Sequence, residues 1–337
     1  MKNNFNNFRV LLVCYVSADV GMGHLSRLIA LAETLRKKYN ITAEFLIFGD
    51  LIKKKKLARF NVHNFLFTDI FTQAVESVLQ TNDFKALILD LYSEHKINNL
   101  DNFFTKLKKK DICLIAIDSL IDYCNILDIL WIPSFNFDCS KHANCAATLK
   151  SGWDSFLIQK QFDHKDWMSG FKVLILTGGS DISNLSRTLP MELDKLLDRR
   201  TEIHWVKGPF SSEPNLLKKP RLNWVIHNAP DKLDELIVQS NYVMTVFGVS
   251  FFEVLQYGIP TVVFSPYSNK DDRELEALAK EEVAMVAKNS ESAVMGLIEL
   301  MNNNTLAKNY SINALNKMSI NGTESLSKKI YSLIKKD

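Results

Sequence analysis

One imidazole, two carboxylates and a phenol stand where chemistry could be done. His24 lies in the loop GMGHLSR, residues 21–27. Asp90 and Tyr92 follow the apolar run ALIL, and Asp118 follows ICLIAI. An imidazole titrates near neutrality and suits proton removal from water or a sugar hydroxyl. Asp90 and Asp118 could each orient that ring, hold a substrate hydroxyl or cap the turn that follows; the residues alone leave these open. Tyr92 is a candidate for contact with the reacting molecule. Arg27 adds positive charge beside His24. Gly21 and Gly23 permit positive φ or a close approach, so the amides after them can receive an anionic group such as a diphosphate.

A second group lies further along the chain. Gly178, Gly179, Ser180 and Asp181 follow the run FKVLILT, and their amides can also face a diphosphate. Asp181 has the alternative of capping the next helix. Ser250 opens a further helix, with Glu253 three residues on; that pair reads either as an anion and ribose site or as a plain capping box. Asn269 could bind a sugar, position water or make an Asx turn. His142, His164, His204 and His227 show no metal-ligand spacing, and neither a metal nor a cofactor is expected.

These residues need rigid elements to hold them. Val10 to Val16 is short, apolar and β-branched; after Gly23 the apolar period becomes 3.6, with Leu25, Leu28, Ile29, Ala32 and Leu35 on one face. The unit is strand, glycine loop, helix. Strand candidates follow at 43–48, 62–67, 86–89, 112–117 and 127–132, alternating with helical stretches. After an irregular stretch from Pro133 to Lys172 the alternation restarts, with strands at 171–177, 202–206, 222–226, 242–246 and 261–264 and closing helices at 293–301, 306–318 and 325–334. Such alternation predicts mostly parallel sheets covered on both faces. Ligands there bind beyond the carboxyl ends of strands, where the candidate residues fall. The expectation is an α/β chain of two Rossmann-like domains facing a cleft. The boundary is expected near 162–170: an N-terminal domain over 1–165 carrying the catalytic loop, and a nucleotide-binding domain over 166–337 that includes the closing helices.

With 337 residues the chain is long enough for two domains, and 47% hydrophobic residues supply their cores. Forty-one Lys and Arg against 38 Asp and Glu leave a net charge of +3, too small to argue for nucleic acid. Five scattered cysteines without a CxxC pair fit reduced thiols and a cytoplasmic setting. No apolar stretch reaches transmembrane length. Lys53, Lys54, Lys55 and Lys56 form a run that reads as a solvated face, or as a weak membrane or acceptor contact. The first loop is not GxGxxG, which disfavours a dinucleotide dehydrogenase.

Taken in order, the motifs resemble those of the PseG family, UDP-2,4-diacetamido-2,4,6-trideoxy-β-L-altropyranose hydrolases. GMGHLSR is similar to that family's glycine–histidine–arginine loop. Asp90-Leu91-Tyr92, IAIDSL (115–120), SGWDSFLIQKQF (151–162), GGSD, IHWVKGP (203–209), HNAPD (227–231), FGVSFFEVLQYGIP (247–260) and Asn269 follow in the family's order. The resemblance implies a glycosyltransferase-B-like fold. It implies a UDP-sugar substrate, with His24, Tyr92 and Asn269 catalytic and Gly21, Gly23, Arg27, Asp90 and Asp118 on the sugar side. Gly178, Gly179, Ser180, Asp181, Gly208, His227, Ser250 and Glu253 would hold the nucleotide. The sequence departs from the family in three places: one glycine rather than two precedes Ser250, Lys270 follows Asn269 in place of Gln, and Ser119 stands where a second Asp is usual. The expected reaction is hydrolysis of the UDP-sugar to free sugar and UDP in nonulosonic acid synthesis. The alternatives are a glycosyltransferase of the same two-domain fold, whose loops are shared, and a non-catalytic nucleotide-sugar binding protein.

Overall fold

The computed structural model describes residues 8–50, 55–92, 97–267 and 270–335. The first sheet comprises β1 (Arg9–Val16), β2 (Thr42–Gly49), β3 (Asn61–Phe65), β4 (Phe84–Asp90), β5 (Cys113–Ile117), β6 (Ile129–Trp131) and β7 (Thr148–Lys150). Helices α1 (Gly23–Tyr39), α2 (Phe71–Leu79) and α3 (Leu100–Lys108) connect its strands. The order is β3-β2-β1-β4-β5-β6-β7 and every pairing is parallel. All of β1 after Arg9 is buried, as a central strand covered on both faces must be. Leu11, Val13 and Tyr15 pack under Phe71, Val75 and Val78 of α2 and Phe103 and Phe104 of α3. Helix α1 covers the other face over β1 and β2.

The second sheet comprises β8 (Lys172–Leu176), β9 (Glu202–Lys207), β10 (Asn223–Asn228), β11 (Tyr242–Val246), β12 (Thr261–Phe264) and β13 (Met285–Val286). Its helices are α4 (Leu185–Leu196), α5 (Leu233–Val238), α6 (Val249–Leu255), α7 (Asp272–Glu281), α8 (Ser290–Asn302) and α9 (Asn304–Lys317). The order β10-β9-β8-β11-β12-β13 is again all parallel. Val173, Ile175, Ile203 and Trp205 pack under Leu189 and Leu193 of α4 and Val294 and Leu297 of α8. Leu174, Leu176 and Val243 pack on the opposite face against Ile237 of α5 and Val254 of α6.

The chain divides into one unit of residues 1–158 with 321–337, and a second of 159–320. The sequence reading put the division at 165 and left the last helix with the second domain. That helix, α10 (Gly322–Ile334), instead packs along α1. Tyr331 stacks on Tyr39 at 4.7 Å, Glu324 pairs with Lys38 at 2.7 Å, and the Thr323 hydroxyl donates to the Ile158 carbonyl. Strands β7 and β13 were also missed. They are three and two residues long, too short to carry a period.

Candidate functional site

Both sheets reverse their winding between two central strands, at β1 and β4 in the first and at β8 and β11 in the second. Loops at such reversals diverge and leave a crevice at the carboxyl ends. At the first of these, β1 leads through a turn closed by the Gly21 amide on the Ser17 carbonyl into α1. Gly21 sits at φ +78°, a conformation that favours glycine. Helix α1 starts without a side-chain cap and with no acidic residue in its first turn, which leaves its opening amides free of carboxylates.

One turn of α1 holds His24 and Arg27, and strands β4 and β5 deliver Asp90 and Asp118. These four side chains form one network. His24 Nδ1 lies 2.7 Å from Asp90 Oδ1. Arg27 clasps Asp90 side-on, Nε to Oδ2 at 3.0 Å and Nη2 to Oδ1 at 2.7 Å. Its Nη1 donates to Asp118 Oδ2 at 2.8 Å. Asp90 is wholly buried and Arg27 nearly so, whereas the Asp118 side chain is 42% exposed. Burial alone would raise the Asp90 carboxyl. The Arg27 charge and the hydrogen bonds from Arg27 and His24 outweigh it and hold the group below its ordinary range. Burial likewise works against the Arg27 charge, and Asp90 and Asp118 override it upward.

This fixes the tautomer of His24. An ionised Asp90 can only accept, so Nδ1 carries the proton and Nε2 is left with its lone pair. Arg27 Nη2 also lies 3.1 Å from Nδ1; both atoms then bear hydrogens, and that contact is a near approach rather than a bond. The ring side chain is 15% exposed. Backed by a buried carboxylate, the imidazole is arranged to take a proton at Nε2 and to be stabilised once it has done so. Asp118 and Leu120 take positive φ, 66° and 68°, in the turn after β5. Such non-glycine strain collects at functional sites.

The expected sugar-side residues are therefore brought together in part. His24, Arg27, Asp90 and Asp118 form one cluster, and Gly21 and Gly23 shape the loop beneath it. Arg27 is expected on the substrate side; three of its five N–H groups go to the two carboxylates. Tyr92 lies two residues past β4, half-buried against the α2–α3 side of the core. Asn269, Lys53 and Lys54 fall outside the described residues. Lys55 and Lys56 lie in the turn before Leu57.

In the second unit Gly178, Gly179 and Gly208 meet. A Cβ on Gly208 would stand 2.4 Å from the Gly179 carbonyl and 2.5 Å from that of Gly178, so glycine is required for this approach. The Phe210 amide donates to Gly179 O at 3.0 Å, locking the loops after β8 and β9 together. The Ser180 and Thr177 hydroxyls are buried with no hydrogen-bond partner among the described residues. Asp181 caps α4 through the Leu185 and Ser186 amides, both at 2.9 Å, so the capping alternative is the one observed. Ser250 does not cap α6. Gly248 holds that place, and Ser250 is the second helical residue with Glu253 one turn on.

His227 ends β10, half-buried, and bonds to His204 at 2.9 Å, Nε2 to Nδ1; His204 Nε2 contacts Glu202. The two rings stack 5.1 Å apart. Burial, then the neighbouring His204 and Lys172, hold His227 below its ordinary value of 6.5. Sequence reasoning treated these histidines as scattered. Their meeting depends on the parallel register of β9 with β10, which sets Val225 beside His204 and His227 beside Val206. Among the described residues no three His, Cys, Asp or Glu side chains gather as metal ligands, and no helix is long and apolar enough to cross a membrane.

Against known proteins, the two parallel-sheet units have the fold of two-domain glycosyltransferase-B structures. The chain superposes on a Phytolacca americana glycosyltransferase, UGT2, solved with UDP-2-fluoro-glucose and pterostilbene. The TM-score is 0.65 and the identity 13%, over 96% of this chain and 99% of that one. Acinetobacter baumannii MurG gives 0.64 at 14% identity, over 96% and 99%. An enzyme described as a UDP-N-acetylglucosamine 2-epimerase, from Listeria monocytogenes, gives 0.64 at 10%, over 98% and 97%. At these identities the likeness establishes the fold, and it does not show the hydrolase family that the motifs resemble. No family model matches. An uncharacterized protein of Methanocaldococcus jannaschii, MJ1062, is 26% identical over 79% of this chain, and the chain spans 57% of that relative's length.

Proposed function

We propose that the protein transfers a glycosyl group from a nucleotide sugar, with His24 as general base. The observation that carries this reading is the 2.7 Å pair between His24 Nδ1 and the buried, arginine-clasped Asp90. The acceptor hydroxyl gives its proton to His24 Nε2. Its oxygen then forms a bond to the anomeric carbon as the bond from that carbon to the diphosphate oxygen breaks. The leaving diphosphate is the charge that uncapped loop amides serve, and the loop Gly178–Ser180, with Gly208 against it, is the place for it. UDP is the nucleotide we expect, since the structural neighbours include enzymes solved with or named for UDP compounds.

A second reading keeps the same base and makes water the acceptor. The ordered motifs of the PseG-like hydrolases, from GMGHLSR to Asn269, favour it. Release of UDP from a panel of UDP-sugars, with and without candidate acceptors, decides between the two. UDP release that depends on an acceptor supports transfer; equal release in its absence supports hydrolysis. In either case His24→Ala should lose roughly 10²–10⁴-fold in rate. Full activity in that variant overturns the proposed base.

A further inference from the structure

At the opposite end of the first sheet the strands begin beside a cavity of about 270 Å³. Arg9 opens β1 and Asn61 opens β3; Asn82 precedes β4, Arg36 and Asn40 close α1, and Arg59 precedes β3. Helix α1 separates this cavity from His24. Its 17 residues span about 25 Å at roughly 1.5 Å each.

Two buried carboxylates organise the corner. Glu44 takes Arg9 Nη1 at 2.9 Å and Asn82 Nδ2 at 3.2 Å on one oxygen, and Asn61 Nδ2 at 2.7 Å and His63 Nε2 at 3.0 Å on the other. Glu33 takes Arg59 Nη1 at 3.2 Å on one oxygen, and Arg36 Nη2 at 2.9 Å and Lys37 at 3.3 Å on the other. Both side chains are nearly inaccessible, 2% and 1%. Every carboxylate oxygen is therefore occupied. The guanidinium groups are not spent. Each has five N–H groups, and Arg9, Arg36 and Arg59 each reach a carboxylate through a single nitrogen. The cavity lining itself carries three guanidinium groups, Arg9, Arg36 and Arg59, against the one carboxylate of Glu44, an excess of two positive charges.

We propose that this cavity binds a small phosphate-bearing metabolite as its dianion. The excess of two charges matches a phosphate monoester, and the unspent guanidinium donors suit its oxygens. Phe60 lines the same cavity and offers an apolar wall to the ligand's body. The site is independent of the nucleotide-sugar reading and lies wholly in the first unit.

The test is calorimetric titration of the full chain with glucose 6-phosphate and inorganic phosphate, with glucose as the control. Saturable binding of both phosphates below about 10 mM, and none of glucose, is expected. Arg36→Gln with Arg59→Gln should weaken it about tenfold or more, while His24→Ala leaves it unchanged. Circular dichroism of the double variant establishes that it is folded. Should that variant misfold, Arg59→Gln alone serves, because its side chain is 58% exposed. Absence of binding overturns the proposal. So does phosphate binding that survives in the folded arginine variant; displacement of that phosphate by UDP would put it in the nucleotide loops.

Discussion

Asp90→Asn changes one oxygen for one nitrogen, and the structure gives its consequences separately for stability and for chemistry. Asp90 accepts three close contacts, 2.7 Å from His24 and 2.7 and 3.0 Å from Arg27, with no access to water. Removing one partner of a buried pair costs about 3–5 kcal/mol, because the other charge is left uncompensated. Arg27 keeps Asp118 at 2.8 Å, which places the expected loss near the lower end, about 3 kcal/mol. That is within the margin of about 5–15 kcal/mol typical of folded domains, so the variant should fold with a lowered melting temperature. An asparagine has one acceptor where the carboxylate had two, and Arg27 uses both oxygens, so either orientation sets the amide nitrogen against one Arg27 N–H. At the Oδ1 position the amide donates to His24 Nδ1, the ring proton moves to Nε2 and the base is lost. At the Oδ2 position the ring keeps its proton on Nδ1 but loses the negative charge that stabilises it once protonated. The turnover number should fall roughly 10²–10⁴-fold, with donor binding little changed. Nitrogen-detected NMR of the imidazole reads the tautomer without any substrate: protonated Nδ1 in the parent, and in the variant the form that reports which way the amide is turned. Adding Arg27→Met should restore part of the lost stability, since no charge is then buried alone. A variant with the parental tautomer and a rate within about twofold of the parent would refute the reasoning.

Two further outcomes follow from the same coordinates. Gly208→Ala puts a methyl group 2.4 Å from the Gly179 carbonyl; it should cost about 1–3 kcal/mol and weaken UDP binding by calorimetry, while leaving the His24 tautomer unchanged. Asp90, Glu33 and Glu44 are held below their ordinary values of 3.8, 4.5 and 4.5 against the burial that would raise them. Depressed carboxyls stabilise fully above their unfolded values and lose that contribution as pH falls through the folded ones. The melting temperature should therefore hold above about pH 4.5 and drop below it; a rise on acidification through pH 4 would contradict the paired carboxylates.

The strand–glycine–helix units were legible because parallel strands buried on both faces read as continuous apolar runs and the glycines punctuate them. The residues of the first site were legible by position, Asp90 and Asp118 at strand ends and His24 and Arg27 in the first turns of the helix after the glycine loop. Their division of labour was not. Arg27 reads in sequence as a free positive charge, and only the approach of β4 and β5 to one turn of α1 turns it into a clasp on two carboxylates. The His204–His227 pair and the charged cavity beside Arg9 depend on which strands are neighbours, which no local pattern carries. Ser250 was misplaced by two residues because Gly248 and a serine both suit a helix start. The return of α10 was hidden because its apolar stripe looks the same whichever unit it covers.

That return makes the first unit discontinuous along the chain, and the consequence appears during synthesis. Residues 159–320 form an unbroken segment and can fold as soon as they leave the ribosome. The first unit, begun before that segment, is completed only after it, when Leu326, Ile330 and Ile334 arrive to be buried. Until then the face of α1 that receives Tyr331 on Tyr39 is bare. A chain halted at residue 320 would carry a finished second unit and an unfinished first one. The helix bearing His24 would then depend on residues made after the whole of the second unit.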